Sequence, residues 1–120
     1  MGDKSFNELA VYRRAHNLAG EIHDVMGLYD EEEYEDLVDD VRHSAREVVR
    51  RISDAWTHRH FMSNIEVHLN NAIDEVGNVI ELLGKAKEMD LVSEKIFDRE
   101  VSAYMEVKHD LLGIIEKGEF

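Results

Sequence analysis

Three groups of residues in this 120-residue chain have types and spacings that chemistry could use. The first is "EVKH", Glu106 to His109, with the near-match "DVRH", Asp40 to His43. A Glu-x-x-His pair sets a carboxylate and an imidazole one helical turn apart. Di-iron bundles use two such pairs plus two further glutamates, all facing inward. The second is "HRHF", with His58 and His60 two residues apart. Two imidazoles on a turn can share a metal, with His68 as a third ligand only if the fold brings it close. The third is "VRHSAREVVRRISDAWTHRH", residues 41–60, which holds five of the eight arginines and three of the seven histidines. It follows "DEEEYEDLVDD", residues 30–40, with eight acids and no base.

What these residues can do depends on the elements that carry them. The chain has no proline and only seven glycines, so helix breakers are few. Its apolar residues recur at three-and-four spacing. The spacing predicts a first helix from about Ser5 to Leu28, opened by the capping-box pair Ser5 and Glu8. Its stripe is Val11, Ala15, Leu18, Ala19, Ile22, Val25, Met26 and Tyr29. A second helix runs from about Glu32 to Trp56, with Val41, Ala45, Val48 and Ile52 at the centre of its stripe. A third begins at Phe61 or Ser63 and reaches Met89, with Ser63 and Glu66 at capping-box spacing. The fourth starts near Ser93 and stops before Gly118; its apolar stripe reads Phe97, Val101, Tyr104, Leu111, Leu112 and Ile115. Helices of roughly 20–27 residues joined by short connections make sequential neighbours antiparallel. The expectation is a single all-α domain over residues 1–120, an up-down-up-down antiparallel four-helix bundle.

Placed on these helices, the three groups lose much of their promise as reactive sites. On the fourth helix Glu106 and His109 fall roughly opposite Phe97 and Ile115, so they do not face the core as a di-iron pair must. The histidines at the second junction have solvation as their ordinary fate; a metal-dependent enzyme built on His58 and His60 is the rival reading. On the second helix Arg42, Arg46 and Arg50 form an outward stripe at steps of four, with Arg51 on the other flank beside Glu47. Residues 41–60 carry formal charge +3, five arginines against Glu47 and Asp54. Three uses fit such a stripe: a solvated face offset by Asp39, Glu47 and Asp54, a contact with an acidic subunit or protein surface, or RNA phosphate contact through Arg42, Arg46, Arg50, Arg51 and Arg59.

Composition narrows the field further. The formal net charge of −13 argues against a generic nucleic-acid or anionic-membrane binder. The absence of cysteine removes disulfides, thiolate catalysis and thiolate zinc sites. No apolar run approaches the ~20 residues a membrane span needs, and no signal segment opens the chain, so a cytoplasmic protein without membrane contact is expected. No phosphate loop or nucleophile motif is present, and the expectation is a protein that is not an enzyme and has no cofactor. Two surface features point to association instead. Phe6 and Leu9 lie off the first helix's core stripe near Tyr12, as an exposed apolar patch at an oligomer interface would. Asn64, Asn71 and Asn78 recur every seven residues on one outer face of the third helix, and Gly77 and Gly84 mark a flank where a neighbouring helix can approach.

The chain resembles the bacterial 23S rRNA intervening-sequence proteins, four-helix-bundle proteins often described as ribosomal-protein-like. The resemblance lies in the opening "SFNELAVYRRAHNLAGEI", in Leu37, Val41, Arg42, Ala45, Ile52 and Asp54 of the second helix, in Phe61, Ile65 and Asp74 of the third, and in the hinge "AKEMDLVSE". The family's Ser-Ile-Pro-x-Asn-Ile-Ala-Glu-Gly core reads "EVVRRISDA" here, without its proline, asparagine and glycine. The resemblance implies an up-down bundle assembled as a homopentamer. The family's name records genes lying within rRNA intervening sequences, a location and not an activity; an rRNA or RNA-associated partner is an expectation beside it, and the family has no catalytic residues to carry over. The reading is therefore a non-enzymatic homo-oligomeric scaffold or binding module, with direct RNA binding by the arginine stripe as its alternative.

Overall fold

A computed structural model describes residues 9–26, 34–60, 62–118 and 120, with side chains left out at 62–64. It contains four helices: α1 (Ala10–Met26), α2 (Glu35–Thr57), α3 (Met62–Glu88) and α4 (Glu94–Lys117). Each helix packs on two others, α1 on α2, α2 on α3, α3 on α4 and α4 back on α1. The pairs that meet across these seams fix the direction. Across α2 and α3 Ser44 meets Glu75 while His58 meets His68, and across α3 and α4 Gly84 faces Phe97 while Lys87 meets Glu94, so partner numbers fall as chain numbers rise. The fold is the expected up-down-up-down four-helix bundle, 49 Å long and 21 Å across.

Helix ends follow local chemistry. Ser93 caps α4, its hydroxyl accepting from the Ile96 N–H at 3.1 Å. Gly118 ends α4 in the left-handed conformation that glycine adopts without a Cβ clash (φ 77°). The hinge after α3 is a Schellman turn: Leu91 N–H bonds to Ala86 O at 2.9 Å and Asp90 N–H to Lys87 O at 3.0 Å. Asp90 takes the left-handed position there, the single non-glycine residue with positive φ among the described residues (φ 60°). The proposed cap of Ser5 and Glu8 and the residues Leu28 and Tyr29 lie outside the described residues, as does the Ser63 side chain.

The core stripes of the first three helices emerge as the apolar periodicity implies. Ala15, Ile22 and Met26 of α1, Val41, Val48 and Ile52 of α2, and Leu69, Val76 and Leu83 of α3 are all buried. On α4 the expectation holds for Tyr104 and Leu111 and is corrected for Leu112. Its buried face is Glu100, Tyr104, Val107 and Leu111, whereas Leu112, expected inside, is 45% exposed. The core face is turned about a quarter of the way round the helix from Val101 and Leu112, the residues that an apolar-only reading favours. Glu100 holds a core position at 0% exposure.

Candidate functional site

The expected arginine surface is built on α2 and splits into two halves. In the C-terminal half every arginine is engaged. Arg50 grips Glu47 through Nε at 2.8 and 3.0 Å and through Nη2 at 2.6 Å, and reaches Asp54 at 3.2 Å. These bonds, opposed by partial burial, hold the Glu47 carboxyl below its ordinary range. Arg51 lies 3.5 Å from Glu75 on α3 and 3.8 Å from Glu47. Arg59 sets its guanidinium 3.9 Å over the Trp56 ring and donates to the Trp56 carbonyl at 2.9 Å. Trp56 in turn meets Phe120 edge-on, with ring centroids 5.3 Å apart. Three of the five arginines expected to reach RNA or a partner thus have partners within the chain.

Arg42 and Arg46, in the N-terminal half, form no ion pair with any described residue. Arg42 is half-buried and donates from Nη2 to the His23 carbonyl of α1 at a long 3.4 Å. Its Nε is shielded from solvent and has no hydrogen-bond partner among the described residues. Both arginines line a groove of about 470 Å³ between α1 and α2. The α1 wall carries His16, Ala19, Gly20 and His23, and Val49 completes the α2 side.

The histidine junction does not assemble as a chelating site. His58 and His68 are brought together, as that reading required, but as stacked rings, with centroids 4.5 Å apart and planes 19° from parallel. Imidazole lone pairs lie in the ring plane, so stacked rings direct them side by side and not toward a common point. His58 Nδ1 is already 2.8 Å from the Asp54 carbonyl, and His60 stays exposed. Among the described residues no group of three His, Asp or Glu side chains is placed to hold a metal ion. Glu106 and His109 of the "EVKH" pair are both exposed.

The expected oligomer features shift as well. Phe6 lies outside the described residues. Leu9 is corrected from exposed to buried, at 8% exposure, and Tyr12 is half-buried against the core with its ring 5.7 Å from that of His16. Asn78 points across to α2, donating to Ser44 Oγ at 3.1 Å and Glu75 Oε2 at 2.9 Å, so it binds within the bundle. Gly84 admits Phe97 of α4, whose ring lies 4.0 Å from where a Cβ would be, whereas Gly77 opens onto empty space.

Two features escape a reading of the sequence. The first is on α4, where Val101, Met105, Lys108 and Leu112 follow one another at steps of four, three and four, the spacing of a coiled-coil seam. Met105 is 46% exposed and Leu112 is 45% exposed, so the seam faces away from the chain's own core. The second is the buried Glu100 beside Tyr104. Glu100 Oε1 accepts from Arg99 at 3.0 and 3.3 Å, while Oε2 and the Tyr104 hydroxyl meet no hydrogen-bond partner among the described residues. Burial raises the Glu100 carboxyl above its ordinary range; the Arg99 bond opposes this and the like charge of Glu21 on α1 adds to it. Burial likewise raises the Tyr104 phenol.

No family model, curated protein or solved structure matches the chain. Its likeness to the intervening-sequence proteins rests on the residues quoted for it. No helix among the described residues is long and apolar enough to cross a membrane.

Proposed function

We propose that this chain is a non-enzymatic, homo-oligomeric four-helix-bundle scaffold, of the kind the intervening-sequence resemblance implies. The observation that supports this reading is the outward seam on α4. A bundle helix needs one apolar face for its own core, and α4 carries two: Tyr104, Val107 and Leu111 inward, and Val101, Met105 and Leu112 on the adjoining face. A 4-3-4 seam accepts a second helix by knobs-into-holes packing, and the helix available in an assembly of identical chains is another copy of α4 or its neighbour α3. Open space beside Gly77 on α3 leaves room for such an approach. The net charge of −13 works against association, so the seam must bury enough apolar surface to overcome that repulsion. An RNA-associated partner is the alternative reading, and Arg42 and Arg46, which form no ion pair with a described residue, are the arginines it would use.

The test is mass in solution by light scattering at micromolar concentration. The expected result is a whole multiple of the chain mass, five by resemblance, reduced to one by Met105→Glu with Leu112→Glu while the helical circular dichroism signal is kept. A strict monomer in the unmodified protein refutes the scaffold reading.

A further inference from the structure

We propose that the groove between α1 and α2 is a binding site for a small amphiphilic organic anion, a carboxylate on an elongated apolar body. Its α1 wall runs from His16 to His23, seven helical steps or about 10 Å. Its volume, about 470 Å³, is in the range of sites that take small molecules. The two helices run antiparallel, so its ends differ. The contact between Arg42 and the His23 carbonyl places both residues at one end, and the register then sets Val49 near His16 at the other. Ala19 and Gly20 lie between them, and Arg46 stands over the middle.

This order gives a cationic head and an apolar run. At the head, Arg42 holds a shielded Nε–H without an acceptor among the described residues, and Arg46, one turn further toward the middle, has no carboxylate partner among them in a chain with 27 acids. A guanidinium presents its donors in a planar fork that matches a carboxylate, and a buried donor without an acceptor favours whatever supplies one. Past Arg42 the half-buried apolar Ala19 and Val49 line the groove beneath Arg46, with the exposed His16 at its far end. Gly20 adds no side chain, and a Cβ built there meets nothing within 4 Å. An inorganic anion would use only the head, and a neutral lipid-like molecule only the run; an amphiphilic carboxylate uses both. The groove is on different helices from the α4 seam, so the inference stands apart from the scaffold reading, and it is an alternative to RNA contact as the use of Arg42 and Arg46.

The probe is octanoate, titrated calorimetrically into the full chain beside octanol, acetate, inorganic phosphate and a single-stranded oligoribonucleotide. The expected result is saturable octanoate binding, with octanol and acetate at least tenfold weaker. Arg42→Gln and Arg46→Gln should each weaken octanoate several-fold. Gly20→Phe should fill the run and abolish binding, with the melting temperature kept or raised, because an exposed helix glycine is replaced by a better helix former. The proposal is overturned if octanoate does not saturate at millimolar concentration, or if Gly20→Phe leaves its binding intact. It is equally overturned if phosphate or the oligoribonucleotide competes as well as octanoate, or if Gly20→Phe lowers the mass in solution, which would make the groove a subunit contact.

Discussion

Glu100 should make the protein less stable at neutral pH than it would be with an uncharged residue in its place. The side chain is fully buried at a core position of α4, one oxygen meets no hydrogen-bond partner among the described residues, and Glu21 sets a like charge toward it. The Arg99 bond is what favours the ionised form, whereas a hydrogen bond with Glu21 favours the protonated one, and Arg99 itself is largely exposed, so it can return to water without penalty. A buried acceptor left unsatisfied costs about 1–3 kcal/mol. Replacing a half-satisfied buried charge with an apolar residue of similar volume is often stabilising by a comparable amount. Glu100→Leu is therefore expected to stabilise the bundle by about 1–3 kcal/mol at pH 7.5. At about 4 °C per kcal/mol for a chain of this size, the melting temperature rises by roughly 4–12 °C.

The pH dependence gives a sharper test. The folded carboxyl titrates above its unfolded value near 4.5. Below that value both states hold the proton, and the charge costs nothing. As pH rises, the unfolded state ionises first and is stabilised, so the folded state loses stability until its own carboxyl ionises, after which the loss is constant. Glu100→Gln, which keeps the shape and cannot ionise, should thus gain on the unmodified protein as pH rises from 4 to 7.5. Urea unfolding followed by circular dichroism at matched pH measures the difference, with equal slopes marking an unchanged denatured state. If the Arg99 pair dominated, the folded carboxyl would titrate low, and the variant would be less stable at pH 7.5 and would approach the unmodified protein in acid. That opposite trend, or a difference that does not vary with pH, refutes the account.

Two other substitutions probe the polar groups that position the helices. Ser44→Ala removes the hydroxyl that donates to Glu75 at 2.9 Å and accepts from Asn78 at 3.1 Å, and it should cost about 1–2 kcal/mol in urea unfolding; an unchanged midpoint would show that these groups re-pair without it. Asp90→Gly should raise stability by up to about 1 kcal/mol, since glycine takes the left-handed position without Cβ strain, whereas Asp90→Val should lower the melting temperature; the reverse order would mean that the Asp90 side chain, and not its backbone, secures the Schellman turn.

The bundle was legible because three of its helices obey one rule: apolar residues at three-and-four spacing face inward. Val41, Val48 and Ile52 needed nothing else to be placed. On α4 the rule misleads because the helix has two apolar faces and a carboxylate on the one that is buried. Hydropathy weighs Glu100 against burial and Val101 and Leu112 for it, so the stripe takes in Tyr104 and Leu111 but leans toward the neighbouring face. Asn78 and Leu9 fail for another reason: their partners lie on other parts of the chain, and a single helix does not reveal which neighbour faces it. Arg42 was expected on the outside, but its place in a groove depends on how close α1 lies. The stacking of His58 on His68 depends in the same way on the register between α2 and α3.

The division of the arginine stripe, by contrast, follows from arithmetic along α2. A helical side chain reaches partners three and four residues away. Glu47 stands three before Arg50 and four before Arg51, and Asp54 four beyond Arg50, so that end neutralises itself. The same four positions around Arg46 are Arg42, His43, Val49 and Arg50, with no carboxylate among them. Around Arg42 they hold one acid, Asp39, yet the Arg42 guanidinium turns to the His23 carbonyl of α1. Moving a single acid to position 49 or 50 would have closed the stripe within its own helix. As the sequence stands, the charge of Arg46 has to be answered from outside α2, and the surface next to it is the groove.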